Sequence, residues 1–315
     1  MAAPANMTTT AQFSTSIREV DFVTQFQKNW DALRTILGIM RPIRKAPGTK
    51  LVSYKATVDG GLQGGATVGE GEDIPLTKTK VEPVAYGDIT MEKYAKAVTI
   101  EAVAKYGAEV AVERTDTAFR NELQKKVLTD FYTFLKTGKL VGTQKTWQRA
   151  LAIAKGAVLK RFANDNLDVT EVVGFANIMD FYDYLGDKEI TVQTEFGLSY
   201  VKNFLGYSTL FLLPDAYIAQ KQVIAVPVEN IDLYYVDPAD SDFAKLGLSY
   251  TVAGETNLIG YHAEGNYKNA TGETYAIMGM KLWAEYLDGI AVVTVGTSNT
   301  EPAVAAVAAA ESTGK

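Results

Sequence analysis

Three carboxylates fall close together in the segment DPADSD, at Asp237, Asp240 and Asp242. Carboxylate oxygens are ligands that Ca²⁺ prefers, so this cluster could hold a cation. The segment lacks the ligand spacing of an EF-hand loop and its closing glutamate. A solvated acidic loop is therefore the favoured interpretation, and cation binding by the three aspartates is left open.

A second candidate for chemistry is the glycine-rich segment GGLQGGATVGEGED at residues 60–73. Glycine-rich turns hold phosphates when a lysine and a serine or threonine follow directly at the start of a helix. Here Pro75 follows the cluster and the first lysine is Lys78, so a phosphate site is disfavoured. We predict instead the flexible tip of a loop, which contains Gly60, Gly61, Gly64, Gly65, Gly69 and Gly71.

The sequence contains one histidine, His262, and no cysteine. Disulfides, thiolate nucleophiles and cysteine zinc ligands are therefore excluded. A Ser-His-Asp arrangement would have to use His262, and no Gly-x-Ser-x-Gly segment supports it. We predict that the chain is not an enzyme and has no catalytic, cofactor-binding or metal-binding residue. An α/β hydrolase that uses His262 is kept as the alternative from another class.

The overall composition is that of a folded protein with a moderate acidic excess. Of its 315 residues 47% are hydrophobic and 22% charged, and the net charge is −6. No basic run is present, so contact with nucleic acid is expected to be non-specific. No stretch of about 18 uncharged apolar residues occurs, and no membrane partner is predicted.

The first third of the chain predicts an arm, a short helix and a projecting hairpin. Residues 1–16 are mostly small or polar, and apolar residues at helical spacing predict a helix over residues 21–39. Alternation over residues 52–58 predicts a half-buried strand, and a returning strand is expected over residues 89–104. The glycine-rich tip lies between these two strands. An isolated ribbon is only marginally stable, so another surface is expected to cover it.

Two longer helices follow the hairpin. Residues 115–136 carry apolar side chains four residues apart, which predicts a helix with a core face. That face consists of Phe119, Leu123, Val127 and Phe131. A second helix is predicted over residues 146–163.

The last half of the chain mixes short strands with turns. The closing pair of strands is predicted as a hairpin over residues 279–295, because Asp288-Gly289 between β-rich runs is a strong turn signal. The tail beyond Gly296 is low in complexity and is expected to be disordered. The other predicted elements are strands at 171–175, 209–213, 222–228, 231–236, 247–252 and 274–278, and a short helix at 178–185.

The order of these elements resembles the Hong Kong 97-type fold of tailed-bacteriophage major capsid proteins. DFYTFLKTG at 130–138 is similar to the end of a capsid spine helix, and QVIAVPVENIDLYYV at 222–236 to axial-domain strands. IMGMKLWAEYLDGIAVVTV at 277–295 resembles the closing strands. The resemblance spans about residues 15–296 and implies an α+β fold. Its expected parts are an N-terminal arm with a short helix (1–47), an extended β-hairpin loop (48–105), a peripheral domain with the spine helix (106–140), a mixed α/β axial domain (141–250), return strands of the peripheral domain (251–298) and a flexible tail (299–315).

The resemblance also implies a function and partners. The chain is expected to assemble with itself, as hexamers and pentamers, into an icosahedral shell around double-stranded DNA, with the glycine-rich tip acting between subunits. Assembly is expected in the host bacterial cytoplasm, with a separate scaffolding protein, a portal protein and a decoration protein as partners. Met1–Ser16 is too short for a cleavable scaffolding segment, so the N-terminus is expected to stay unprocessed. An encapsulin-like nanocompartment shell is the nearest alternative.

Overall fold

The structure, a computed structural model, describes residues 18–26, 40–63, 68–69, 71, 73–186, 192–195, 198–228, 230–252 and 257–304. Its helices are α1 (described over residues 18–26), α2 (Ile100–Ala108), α3 (Arg114–Leu135), α4 (Trp147–Asn164), α5 (Ile178–Leu185) and α6 (Ser241–Ala244). Its strands are β1 (Met40–Lys45), β2 (Leu51–Asp59), β3 (Lys78–Gly87), β4 (Met91–Thr99), β5 (Leu140–Gln144), β6 (Val172–Asn177), β7 (Gln193–Glu195), β8 (Leu198–Phe204), β9 (Tyr207–Leu213), β10 (Gln222–Pro227), β11 (Ile231–Val236), β12 (Ile259–Asn266), β13 (Thr271–Ala284), β14 (Ala291–Val295) and β15 (Thr300–Val304).

Over these residues the strands form two sheets and a separate ribbon. The larger sheet has the order β15-β5-β14-β10-β6-β9-β8-β7. The smaller sheet has the order β1-β11-β13-β12, and β4 also pairs with the long strand β13. The ribbon consists of β2 and β3 alone. The mixture of helices and sheets agrees with the predicted α+β class.

The long helix α3 lies at the centre of one hydrophobic core. Leu123, Val127 and Phe131 are buried, and Phe119 is half-buried against the same cluster. The cluster also contains residues of α1, of the smaller sheet and of one face of the larger sheet. A five-residue π-helical turn (Glu109–Glu113) joins α2 to α3. The four residues chosen from the sequence therefore do lie on one side of the helix, as their spacing requires.

The opposite face of the larger sheet is covered by α4 and α5. The buried stripe of α4 packs there, from Trp147 and Leu151 to Phe162. Alternate residues of β10 contribute to the two cores, with Val223 on the α4 side and Ile224 on the α3 side. The inner strands β6 and β10 are buried on both faces, which explains why they are nearly continuous apolar runs without polar alternation.

The predicted returning strand of the hairpin is wrong. The ribbon returns through β3, whereas β4 pairs with β13 and is followed directly by α2, which is kinked at Gly107 (φ +78°). Thr99 caps this helix by accepting a hydrogen bond from the amide of Ala102 at 3.3 Å. The apolar residues after Thr99 fit the spacing of a helix as well as that of a strand. The hydrogen bond from Thr99 favours the helix, because it satisfies an amide at the start of the first turn.

The predicted closing hairpin is also wrong. Asp288-Gly289 lies in a 3₁₀ turn (Leu287–Gly289) that carries the chain from β13 in the smaller sheet to β14 in the larger one. A Cβ on Gly289 would lie 2.5 Å from the ring of Phe162. Arg161 contacts Asp288 at 2.7 Å. Close packing against α4, rather than hairpin geometry, explains this glycine.

Three further expectations need correction. The two predicted domains exchange strands, because β11 belongs to the smaller sheet and β14 to the larger one. The tail contains a strand, since β15 pairs with β5. Residues 247–252 form only an isolated bridge, between Thr251 and Tyr261. Of the helix predicted over residues 21–39, the part beyond residue 26 lies outside the described residues, as do Gly64, Gly65 and the arm at 1–16.

Candidate assembly surfaces

The β2–β3 ribbon presents an apolar face to solvent. Tyr54 lies opposite Pro83 and Ala56 opposite Val81, and directly paired residues project on the same side of a ribbon. Tyr54 is 71% exposed and Val81 58% exposed. Val58, on the same face, is also exposed. The predicted strand is present, but the half burial expected for it is not, because in the single chain nothing described covers the apolar side.

The tip of the ribbon adds further exposed apolar side chains. Leu62, Ile74 and Leu76 are 86%, 75% and 92% exposed. Exposed apolar residues are normal singly, whereas a contiguous set marks an interaction surface. The exposed apolar side chains of the ribbon and its tip are Val52, Tyr54, Val58, Leu62, Ile74, Leu76 and Val81.

Three glycines of the tip have backbone conformations that favour glycine. Gly60, Gly61 and Gly71 have φ of +80°, +75° and +84°, values that other residues rarely adopt. Gly60 accepts a hydrogen bond from Gln63 Nε2 at 3.0 Å. Gly69 also lies among the described residues of the tip.

The base of the ribbon is fixed to the smaller sheet. β1 precedes the ribbon and pairs with β11 in parallel. Arg41 contacts Asp232 at 2.9 Å, and Arg44 contacts Asp237 at 3.4 Å and Asp240 at 3.2 Å. Two of the three aspartates considered for cation binding thus pair with an arginine. The ribbon projects from an anchored strand.

The third of these aspartates, Asp242, pairs with Lys245 at 2.7 Å. Asp237 also accepts hydrogen bonds from the amide of Ala239 and from Asn257. Within the described ranges, no group of histidine and carboxylate side chains is arranged to hold a metal ion. The acidic segment serves as a network of ion pairs and turn hydrogen bonds next to the ribbon base.

His262 lies on β12 beside α1. Its Nδ1 is 3.5 Å from Oε1 of Glu19, which accepts a hydrogen bond from the amide of Ala263 at 2.5 Å. The other Glu19 oxygen accepts one from Thr251 at 2.7 Å. These contacts dock α1 on the smaller sheet, so the histidine lies in a structural contact.

A buried ionic cluster that the sequence analysis missed holds α1 against α3 and the sheet. Asp116 Oδ1 is 2.9 Å from Arg18 Nη2, 2.5 Å from Lys96 Nζ and 3.2 Å from the hydroxyl of Tyr261. Burial would raise the pKa of Asp116, but hydrogen bonds from Arg18 and Lys96 outweigh it and lower that pKa. Burial and the Asp116 charge raise the pKa of Tyr261 to about 12. The sequence did contain a signal for this cluster, because Asp116 lies three residues before Phe119 and therefore on the apolar face of the helix.

The substitution Asp116→Asn is expected to lower the free energy of unfolding by about 3 kcal/mol at pH 7. This value is at the lower end of the range for breaking a buried ion pair, because the Arg18 side chain is still 28% exposed. The stabilisation from Asp116 is present above its ordinary pKa of 3.8 and lost as pH falls through the lowered folded value. The difference between wild type and variant should therefore shrink below about pH 4.

Urea unfolding at pH 7 and at pH 3 measures both effects. Glu122→Gln, which removes an exposed ion pair with Lys125 on the same helix, is the control and should change the stability far less. If the wild type and the Asp116→Asn variant differ in stability by the same amount at the two pH values, the role given to the carboxylate is contradicted.

Several solved structures have a similar fold. The mature capsid of bacteriophage PhiM1 matches with a TM-score of 0.53 at 7% identity, over 83% of this chain and 86% of that one. A structure of Mycobacterium phage Patience matches with a TM-score of 0.50 at 10% identity, over 95% and 96%. The SrpI encapsulin of Synechococcus elongatus PCC 7942 matches with a TM-score of 0.50 at 12% identity, over 86% and 90%. The chain has the Hong Kong 97-type capsid fold.

This assignment confirms the resemblance in fold. No family model and no curated protein matches the sequence. The described part of the chain has no helix that is long and apolar enough to span a membrane.

Proposed function

We propose that the chain is the major capsid protein of a tailed bacteriophage, a shell subunit that assembles with itself around double-stranded DNA. One observation carries the proposal: on a capsid-type fold, a ribbon anchored at its base presents an uncovered apolar face. Fully covering a Val or Leu side chain is worth about 1.5–3 kcal/mol. The exposed apolar side chains of one ribbon therefore favour a neighbouring subunit as their cover.

A closed shell needs a contact of this kind. Each subunit must present one surface and accept a different one, so that contacts repeat around rings. A projecting ribbon satisfies this requirement because it reaches beyond its own subunit. Glycines with positive φ at the tip let one sequence adopt the different bends that pentamers and hexamers require.

The proposal includes partners and a location that follow from assembly. DNA is enclosed by non-specific contact, consistent with a net charge of −6 and no basic run. A separate scaffolding protein, a portal protein and a decoration protein are proposed as further partners, in a virion assembled in the bacterial cytoplasm. The chain is proposed to have no enzymatic activity. His262 and the aspartates at 237, 240 and 242 are engaged in structural contacts, which supports this part.

An encapsulin-like shell is the second candidate, favoured by the match to the SrpI encapsulin. The contents of the particle distinguish a phage capsid from an encapsulin-like shell. A capsid isolated from lysed host cells that carry the whole gene cluster should protect DNA from nuclease. An encapsulin shell should instead retain a specific protein at fixed stoichiometry.

Sedimentation of the purified chain tests the shared part of the proposal. We expect particles or rings far heavier than the 34.2 kDa chain, visible by negative-stain microscopy. A chain that stays monomeric with and without its co-expressed gene neighbours would contradict shell formation.

A further inference from the structure

An apolar groove lies between α2 and the turn that joins β12 to β13. It has a volume of about 390 Å³. Val98, Val103 and Val112 line it and are only partly buried, and Ile100 is 60% exposed. No residue of α2, all of which is described, is buried in the single chain. Among the described residues, this helix therefore has an apolar side without a packing partner.

The lining of the groove determines what kind of segment can fill it. Arg18 is the one charged side chain among the described residues that line it. Its guanidinium is already engaged, since Nη2 donates to Asp116 at 2.9 Å and to Thr274 at 3.0 Å. A charged side chain buried in the groove would find no opposite charge free to pair with it, which is unfavourable. The groove therefore suits an uncharged segment with apolar side chains.

Helix α1 points its N-terminal end towards this groove. Glu19 accepts a hydrogen bond from the amide of Ala263 on β12. One turn later, Phe22 stacks on Tyr261 with the ring centroids 4.0 Å apart. Because the contacts of α1 move back along β12 as the helix advances, the helix runs antiparallel to the strand. Its N-terminal end therefore faces the last residues of β12, at 265–266, which line the groove.

The chain that precedes Arg18 has the composition that the groove requires. Arg18 is the first described residue of α1 and lines the groove itself. Residues 1–17 contain no charged side chain, and the last two bulky apolar residues among them are Phe13 and Ile17. Four residues span about 6 Å in a helix and about 13 Å in an extended strand. Both side chains are therefore within reach of the groove.

We propose that residues 13–17 occupy this groove in the same subunit, with Phe13 and Ile17 packed against α2. The segment is joined directly to Arg18 at the groove, so its effective concentration there is far above that of a segment on a separate chain. This favours the subunit's own segment over that of a neighbour. The contact covers the apolar side of α2 and holds the start of α1. It does not depend on assembly and is distinct from the ribbon surface.

Photocrosslinking of the full chain tests where residue 13 lies. p-Benzoyl-phenylalanine replaces Phe13, and the irradiated protein is separated by denaturing electrophoresis before its peptides are mapped. We expect crosslinks in the band of a single chain that join position 13 to the peptides containing Ile100, Val103 or Val112. The same probe at Tyr182, half-exposed on α5, is the control and should not reach those peptides.

Hydrogen exchange of α2 supplies an independent readout. Phe13→Lys brings a second cation next to Arg18, so the segment should leave the groove. The backbone amides of residues 100–108 should then exchange at least about tenfold faster than in the wild type. Phe13→Leu keeps an apolar side chain and should stay within about threefold. The amides of α4, which packs on the larger sheet, are the internal control and should exchange equally in all three chains.

Other outcomes would overturn the inference. Crosslinks to the groove in a band of two chains would show that the segment of another subunit is the occupant. Crosslinks to another surface, or none at all, would place residue 13 elsewhere. Equal exchange of α2 in the wild type and in Phe13→Lys would show that the segment does not cover this helix. None of these results affects the proposed function, whose failure would appear instead as a wild-type chain that forms no particles.

Discussion

Replacing Tyr54 and Val81 with lysine is expected to leave a folded subunit that forms no shells. The two residues lie on the same face of the ribbon, and both are largely exposed in the single chain. Their loss therefore removes no packing from the subunit core. In a shell, covering that face would bury two unpaired ammonium groups, which is unfavourable by several kcal/mol per contact. Because each contact is repeated around the particle, assembly should be lost rather than weakened.

Circular dichroism and velocity sedimentation measure folding and assembly separately. The matched control is Lys80→Ala with Glu82→Ala, on the other face of the same strand, which removes an exposed ion pair. That control should assemble. Regular shells from the double-lysine variant would show that the apolar face of the ribbon is not an interface.

The second large effect is expected in the core of the subunit. Phe131 is fully buried on α3, 6.0 Å from the ring of Phe175 and 5.3 Å from that of Tyr132. Truncation to alanine should cost about 3–5 kcal/mol, from lost transfer free energy and the cavity that remains. The residue joins α3 to the larger sheet, so both layers lose packing.

The loss of stability is best measured by urea unfolding in a chain that also carries Tyr54→Lys and Val81→Lys. In that chain, assembly does not add to the apparent stability. Thr133→Ala, an exposed position on the same helix, should change the stability by less than about 0.5 kcal/mol. A cost below about 1 kcal/mol for Phe131→Ala would mean that this face of α3 does not pack as described.

The long helices α3 and α4 were the most predictable part of the fold. In α3 and α4, apolar residues recur at helical spacing over many turns, and Thr146 caps α4 by accepting a hydrogen bond from the amide of Arg149. Such signals are local, since the residues that define them lie within one element. The short helix α5 was predicted with its observed bounds, Ile178–Leu185.

The strand connections were less predictable because their partners are distant in sequence. β14 pairs with β5 and β10, and β11 pairs with both β1 and β13. Nothing within residues 279–295 distinguishes a hairpin from a crossing between two sheets. Gly289 illustrates the difficulty. A glycine is required there because a side chain would collide with the ring of Phe162, which lies on α4.

The candidate surfaces were predictable in part. Alternation along β2 correctly indicated a strand, but the half burial that it predicted is absent from the single chain, where the apolar side is uncovered. The pairing of Asp116 with Arg18 and Lys96 depends on contacts between residues that are distant in sequence.

A cryo-electron microscopy map of particles assembled from the purified chain tests the central claim most directly. We expect a closed shell in which the apolar face of each ribbon, marked by Tyr54 and Val81, lies on the body of a neighbouring subunit. Folding of the ribbon back onto its own subunit, or a chain that remains monomeric both alone and with its co-expressed gene neighbours, would contradict this account.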